Sequence, residues 1–438
     1  LRYDWISPYG YDVKTPAMQG LREDGILYEN AIANSNWTTP SVASIFTSLL
    51  PQEHRILSSS KKLPSRLPVL AGEMANAGYY TVGFSTNPNI QPLTNFDQGF
   101  KEFYYLKGVE AIPIDPEAPI LRYHFEIRAM IRNILPWLKK KEKVYCFGEP
   151  LTDRVIDWLR NNRDRKFFMY IHYMDPHTRY YKHPFDGKYA NPKNDPGGEN
   201  YELYTGLYKG EIEYTDVHLG RLIAFLKENN LYDSSLIVFT ADHGEEMFDH
   251  YGWEHYSSMF EEQIHIPLIM KLPFSERAGE LNSTLVSQID FAPTILDIAG
   301  VSIPESWEGF SFLDEKQIHG CVVSQAINGR YKIWAVRTLI DKWIETDPGY
   351  ERIRLANIKF AQVDRRAAFP DKNFFDLIDD PEEKNNLYED SNYAARIDTV
   401  EGMGWNTMKK AFEASEDEEN AVLDEETKQR LKELGYMQ

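Results

Sequence analysis

Two stretches carry residue types that can do covalent chemistry together. The first is Asn36-Trp37-Thr38-Thr39-Pro40-Ser41-Val42-Ala43-Ser44. Its two threonines precede a proline suited to the first helical position. Ser41, Ala43 and Ser44 are small enough to pack that helix tightly on a sheet. Backbone N–H groups at a helix start favour anions, so a hydroxyl there faces an oxyanion site. Taken alone, the stretch reads as an ordinary N-cap. The second stretch is Asp242-His243, which follows an apolar run and precedes Gly244. A carboxylate beside an imidazole suits a divalent cation through hard oxygen and borderline nitrogen ligation. The rival is an N-capping Asp with a surface His. Glu245, Glu246, Asp249, His250, Glu254 and His255 follow closely, and that density of ligand-type residues favours metal.

Asp175-Pro176-His177 supplies a further histidine just past another apolar run. Its imidazole can protonate a leaving group or hold a substrate oxygen. His172, inside the run, reads as a satisfied core histidine. The pieces combine into one mechanism. A metal ion lowers the pKa of the Thr38 hydroxyl, otherwise a poor nucleophile. The alkoxide attacks phosphorus or sulfur in line. Metal and helix start stabilise the charged equatorial oxygens. His177 or His255 assists the leaving group, and water then releases the ester from Thr38.

The elements that must position these residues alternate in type. A helix is expected over Thr15–Leu27, ended by Gly25. A strand over Ile26–Ala33 feeds the Thr38 turn, and a helix runs from Ser41 to Leu50, stopped by Pro51. Leu67–Ala77 reads as a helix and Tyr79–Ser85 as a buried strand. The polar loop Thr86-Asn87-Pro88-Asn89 follows it. Leu151–Asn161 is expected as a helix, Lys166–Tyr173 as a strand, 179–202 as a long loop and Tyr208–Asn229 as the longest helix. Strands follow at Leu236–Thr240 and Ile266–Lys271. Gln288–Ala299 begins as a strand end and turns helical after Pro293. This order is α/β layering, in which ligands collect at the C-terminal ends of strands. Residues 105–147 break the pattern with a basic amphipathic piece interrupted by Pro136. A solvated surface helix is expected there, with a helix lying on a membrane surface or a lid over the site as the rivals. From Gly320 short strands (Cys321–Gln325, Tyr331–Thr338, Asp341–Thr346), a turn-rich stretch and a charged helix from Asp424 predict a small antiparallel sheet.

Composition narrows the class. The 438 residues suffice for one large α/β domain or two to three smaller ones, and the 42% apolar share is core-forming. A net charge of −19 speaks against a nucleic-acid polymer as partner. The two cysteines, Cys146 and Cys321, exclude a disulfide framework and suit a reducing compartment, so a cytoplasmic location is expected. No apolar run approaches a membrane span. The opening Leu1-Arg2-Tyr3, without an initiator Met, reads as a cut N-terminus, which leaves room for a lost leader.

Read together, these blocks resemble the sulfatase-like branch of the alkaline phosphatase superfamily. The resemblance covers nearly the whole chain: LRYDWISPYGY, NSNWTTPSVASIFTSLLPQEH, FFMYIHYMDPHTRYY, VFTADHGEEMFDHYGWEHYSSMFEEQIHIPLIM, VSQIDFAPTILDIAGVSIPESWEGFSFL and FFDLIDDPEEKNNL follow family patterns in order. It implies a three-layer α/β sandwich with a central, mostly parallel sheet and a small C-terminal antiparallel subdomain. Residues 1–319 would form the catalytic domain, with 105–147 as insertion or lid, and 320–438 the subdomain with its terminal helix.

The resemblance also implies roles. Thr38 takes the nucleophile position and is a metal ligand with Asp242 and His243. His177 holds a substrate oxygen or serves the leaving group, and Asn87 and Thr39 face the substrate. His255 matches a histidine that joins a second site in two-metal relatives. A divalent ion (Mn, Zn, Ca or Mg) is implied. The family's first metal aspartate is expected just before Leu1, and the spacing of Asp4 is wrong for a substitute.

The chain departs from sulfatases where it matters most. They carry Cys or Ser, converted to formylglycine, in a Cys-x-Pro-x-Arg pattern. This chain has Thr38-Thr39-Pro40-Ser41-Val42, and its Thr86-Asn87-Pro88 replaces a Lys-x-His pair. Threonine at the nucleophile position is the pattern of relatives that cleave or transfer phosphoryl groups. The expected function is therefore metal-dependent hydrolysis of phosphate mono- or diesters, the substrate being a small anionic ester. Sulfuric ester hydrolysis is the alternative, and a catalytically degenerate anion-binding protein is the alternative of another class.

Overall fold

The computed structural model describes residues 1–108, 146–181, 183, 189–190, 200–250, 252–256, 258–314, 316–328, 331–346, 370–412 and 421–433. The basic amphipathic segment read within 105–147 lies mostly outside them.

Apolar runs bounded by Gly and polar loops become the strands, and amphipathic runs become the helices. In chain order these are α1 (Pro16–Asp24), β1 (Ile26–Ile32), α2 (Thr38–Thr47), α3 (Leu70–Asn76), β2 (Tyr80–Ser85) and β3 (Glu102–Tyr105). Next come α4 (Gly148–Asn162), β4 (Phe167–His172), α5 (Tyr201–Glu228), β5 (Ile237–Thr240), β6 (His265–Lys271), β7 (Leu281–Ser287) and α6 (Phe291–Ile298). The C-terminal part holds β8 (Val322–Asn328), β9 (Tyr331–Arg337), β10 (Asp341–Thr346), β11 (Lys372–Asp376), α7 (Ala394–Phe412) and α8 (Glu425–Glu433).

One sheet has the order β7-β1-β6-β5 and a second, all parallel, the order β3-β2-β4. β1 is parallel to β7 and antiparallel to β6, and β6 is antiparallel to β5. β1, β5 and β7 therefore run the same way, and their C-terminal ends share one edge. That edge carries Thr38 after β1, Asp242 after β5 and Gln288 after β7. The second sheet is filled by Val82 and Phe84, which pack with Ile269 of β6 and the α4 and α5 residues Leu151, Val155 and Leu222. The expected mixed α/β fold with a central sheet and a small antiparallel sheet is what the chain forms.

The small sheet is an antiparallel meander, β8-β9-β10-β11, with α7 against it. Its Ile333, Ala335, Ile344 and Phe375 share a buried cluster with Ile26, Tyr28, Ile266 and Leu268 of the main sheet. At its far side Val336, Trp343 and Phe374 meet Ile397 and Val400 of α7. β11 and α7 fall where the sequence read only a turn-rich stretch. Among the described residues no helix is long and apolar enough to cross a membrane. Cys146 and Cys321 are not joined in a disulfide.

Helix α2 differs from its sequence reading. It starts at Thr38, with Trp37 extended (φ −159) as N-cap, so Pro40 is the third helical residue and not the first. It ends at Thr47, with Ser48 left-handed (φ 54), and Pro51 opens a separate short helix, Pro51–His54. His54 from that short helix braces α2. Its Nδ1 accepts the Ile56 N–H (3.0 Å), and its Nε2 lies 3.2 Å from both the Pro40 carbonyl and Ser44 Oγ. These partners demand the neutral ring, and full burial pushes its pKa down to about 3. The folded state thus binds fewer protons than the unfolded state between that value and about 6.5. Its contribution is complete above about 6.5 and fades as pH falls toward 3. A His54→Gln variant should show a shallower loss of urea midpoint between pH 6.5 and 4 than the unmodified protein; equal slopes would remove His54 from the acid sensitivity.

Candidate active site

The site forms where the strand ends meet. At the start of α2, Thr38 and Thr39 are buried, as are Ser35 and Asn36 before them. The approach is fixed by Asn36 Nδ2, which donates to the Ser258 carbonyl (2.7 Å), and by Ser41 Oγ, which donates to the Ser35 carbonyl (3.0 Å). Thr38 Oγ1 lies 3.3 Å from His243 Nε2 and within hydrogen-bonding reach of the Asp242 carboxylate. Thr39 Oγ1 is buried with no hydrogen-bond partner.

Asp242 and His243 leave β5 in a tight passage. Gln288 Nε2 donates to the carbonyls of Asp242 (2.6 Å) and Ala241 (3.2 Å). A Cβ on Gly244 would lie 2.0 Å from the Glu262 carbonyl oxygen, so the next residue has to be glycine. His243 Nδ1 donates to the Gly244 carbonyl (2.7 Å), which fixes the tautomer and leaves Nε2 as a lone-pair donor toward Thr38 and Asp242. Burial pushes the His243 pKa down to about 4, so the ring is neutral at physiological pH. Burial opposes ionisation of Asp242, but neighbouring His243 and His172 hold it below the usual carboxylate range. The Leu1 backbone nitrogen donates to the His243 carbonyl (2.8 Å).

Three more predicted residues line the same space. The His255 ring centre is 4.3 Å from His243 and 5.1 Å from His177. His255 Nδ1 pairs with Glu245 Oε1 (3.0 Å), and burial pushes Glu245 up to about 7. His177 points Nδ1 at the Thr178 carbonyl, and burial holds its pKa well below the ordinary value. Asn87 reaches the group through His172: Asn87 Nδ2 stands 3.3 Å from His172 Nε2, whose Nδ1 meets Tyr170 OH at 2.8 Å. His172 is satisfied on both nitrogens, as its sequence reading had it, yet it lies close enough to Asp242 to influence its charge.

The rest of the ligand-type density after Gly244 serves the scaffold. Glu246 accepts from Gly252 N (2.6 Å) and Gln263 Nε2 (2.9 Å), Asp249 pairs with Arg2, and His250 pairs with Glu262 (2.7 Å). Asp4 is held by Arg2 (2.7 Å). Val42, where sulfatases carry arginine, is fully buried against Phe46, Ile56 and Ile90. Sequence reasoning missed Gln288 and Glu245 as supports. It also missed Asp175, His183 and Glu211, which gather beyond His177.

A hydroxyl at a helix start, a carboxylate and a neutral imidazole within reach of it, on this α/β scaffold, define an ester hydrolase of the alkaline phosphatase superfamily. The chain belongs to the sulfatase family, whose model matches residues 1–301. The model for N-sulphoglucosamine sulphohydrolase, C-terminal, matches residues 249–407. Arylsulfatase K of Canis lupus familiaris is 25% identical over 435 residues, covering 87% of this chain and 75% of that protein. Two solved structures share the fold at a TM-score of 0.70 and 19% identity. One is BT4656 in complex with its substrate D-glucosamine-2-N,6-O-disulfate (94% of this chain, 96% of that one). The other is the phosphonate monoester hydrolase of Agrobacterium radiobacter (94% of each).

Proposed function

We propose that the protein hydrolyses phosphate mono- or diesters through a covalent phosphoryl-Thr38 intermediate. The observation that carries this reading is the Thr38 hydroxyl itself, buried at the start of α2 and 3.3 Å from His243 Nε2. Threonine has no route to the formylglycine aldehyde, so the hydroxyl acts as it stands. Asp242, His243 and Thr38 together offer a carboxylate, a neutral imidazole and a hydroxyl, a donor set that fits a divalent ion. Such an ion, when bound, supplies the positive charge that acidifies the hydroxyl and neutralises the ester.

The residues of the chain do the rest. Asp242 accepts the Thr38 hydrogen bond and orients the oxygen toward phosphorus. A Thr38 Oγ–P bond forms as the P–O bond to the leaving group breaks; the Thr38 proton leaves along the Asp242 hydrogen bond to solvent, and the departing oxygen takes a proton from His177 or His255. His177 and His255 line that space. Both are buried, and a bound anion raises the pKa of an imidazole beside it, so a ring that is neutral in the free protein gains a proton to give. Water then attacks the phosphoryl-threonine and restores the hydroxyl. Asn87 and Thr39 supply neutral donors for the non-reacting oxygens.

A second reading, sulfuric ester hydrolysis, is supported by the two family models. A panel of p-nitrophenyl phosphate, bis-p-nitrophenyl phosphate, p-nitrophenyl phenylphosphonate and p-nitrophenyl sulfate, assayed with Mn²⁺ or Zn²⁺, separates them. The phosphoryl esters should show at least ~10-fold higher kcat/KM than the sulfate. Faster turnover of the sulfate would sink the phosphoryl reading.

A further inference from the structure

Beyond His177 lies a second cluster that the proposed reaction does not use. Asp175 follows β4, His183 lies in the following loop, and Glu211 sits on the buried face of α5. One ligand atom from each lies within 4.8 Å of the other two. Glu211 is fully buried and Asp175 only 3% exposed. Neither carboxylate oxygen of Asp175 has a hydrogen-bond partner. The backbones of Gly148, at the start of α4, and of Asp175 itself face it and only partly offset its burial. Glu211 Oε1 accepts the Tyr181 N–H (2.6 Å), and Oε2 stands 3.0 Å from His183 Nε2. The His183 ring is held in place, stacked on Tyr214 (3.8 Å between centres) and edge-on to Phe147 (5.7 Å).

Two buried carboxylates side by side repel each other and lose hydration. Burial and the neighbouring Glu211 push the Asp175 pKa up to about 8, and burial also raises Glu211 well above the usual carboxylate range. One imidazole cannot neutralise both. A divalent ion can, and ligand atoms around zinc or manganese stand about 3 Å apart, the spacing of His183 and Glu211. We propose that Asp175, His183 and Glu211 form a second divalent-cation site, separate from Asp242 and His243, suited to zinc or manganese. The ion would tie the backbone just ahead of His177 to α5. It would thereby position His177 without touching substrate.

The test uses metal-stripped protein carrying Asp242→Asn and His243→Ala, which removes the first site. Calorimetric titration with Zn²⁺ should still fill one equivalent per chain, accompanied by a rise in Tm. Adding Glu211→Gln should remove both the equivalent and the rise. His183→Gln, at a partly exposed loop position, should do the same with less risk to folding. If the Asp242→Asn, His243→Ala protein takes up no zinc, the cluster is a proton-sharing network and the site does not exist. If zinc uptake survives Glu211→Gln or His183→Gln in folded protein, the ion binds elsewhere and the assignment fails. Neither result depends on whether the reaction runs through Thr38.

Discussion

Thr38→Ala should lower kcat for the preferred ester by about 10³-fold or more, with KM changed far less. Removing a covalent nucleophile leaves only binding and electrostatic stabilisation, and such losses are of this order or larger. A thousandfold loss corresponds to about 4 kcal/mol of transition-state stabilisation. The substitution is mild for the scaffold. The Oγ1 contacts lie within the site, and alanine is a good helix former. The Tm should therefore stay within a few degrees while turnover collapses. Rapid acid quench with a ³²P-labelled ester should trap a phosphorylated residue in the unmodified protein and none in Thr38→Ala. Retention of full activity by the variant would remove Thr38 from the reaction.

The second large effect concerns stability. Lys342 on β10 is fully buried, with Nζ 2.9 Å from both Glu261 and Glu383. Arg337 also pairs with Glu261, and His265 Nδ1 stands 2.8 Å from the same carboxylate. Lys342→Met fills the same space but leaves two carboxylates facing each other in the interior. Removing one partner of a buried ion pair costs about 3–5 kcal/mol, because the remaining charge is uncompensated. The loss should appear as a lowered urea midpoint and should be greater at high pH. Burial already pushes Glu383 up to about 7; without the lysine its protonated form is the one that folds. Stability of the variant is then recovered as pH falls below 7, within the range where His54 remains tolerable. A change below ~1 kcal/mol would mean that water or a counter-ion takes the place of the ammonium.

Much of the scaffold was legible because its signals are local. β2, β4 and β5 are short apolar runs that end in polar residues; the end of β5 is the part that meets Thr38, and the ends of β2 and β4 meet through Asn87 and His172. β7 was missed: Leu281–Ser287 exposes its first half and buries only Leu285, Val286 and Ser287, and the strand end read from Gln288 onward is a 3-10 turn that leads into α6 at Phe291. The start of α2 was misplaced because proline marks a preferred first position, whereas the extended Trp37 sets the actual cap. β11 was missed because its strand signal is only five residues long and is surrounded by turn-forming residues.

The site was legible in part for the same reason. Thr38, His177 and Asp242-His243 each sit at a boundary between element types, where sequence punctuation is strong. The density of acids and histidines after Gly244 had to be resolved by three-dimensional pairing. Buried histidines recruit carboxylates, so His250 and His255 account for Glu262 and Glu245. Glu211 was invisible because one acid on a long helix carries no periodic signal. Only the fold brings it to Asp175.

The lacing of β8 to the turn before Thr38 has a further consequence. Ser324 Oγ donates to the Ala33 carbonyl (2.6 Å), Gln325 N to the Asn34 carbonyl (2.8 Å), and Asn34 Nδ2 to the Val323 carbonyl (2.9 Å). The C-terminal sheet is thus a splint for the nucleophile and not an appendage. A chain trimmed near residue 320 would lose the clasp on its reactive turn while keeping every residue proposed to do chemistry. Substitutions in β8 can reach reactivity through the Ala33–Asn34 backbone, so variation in that sheet belongs in any account of how the family tunes its rate.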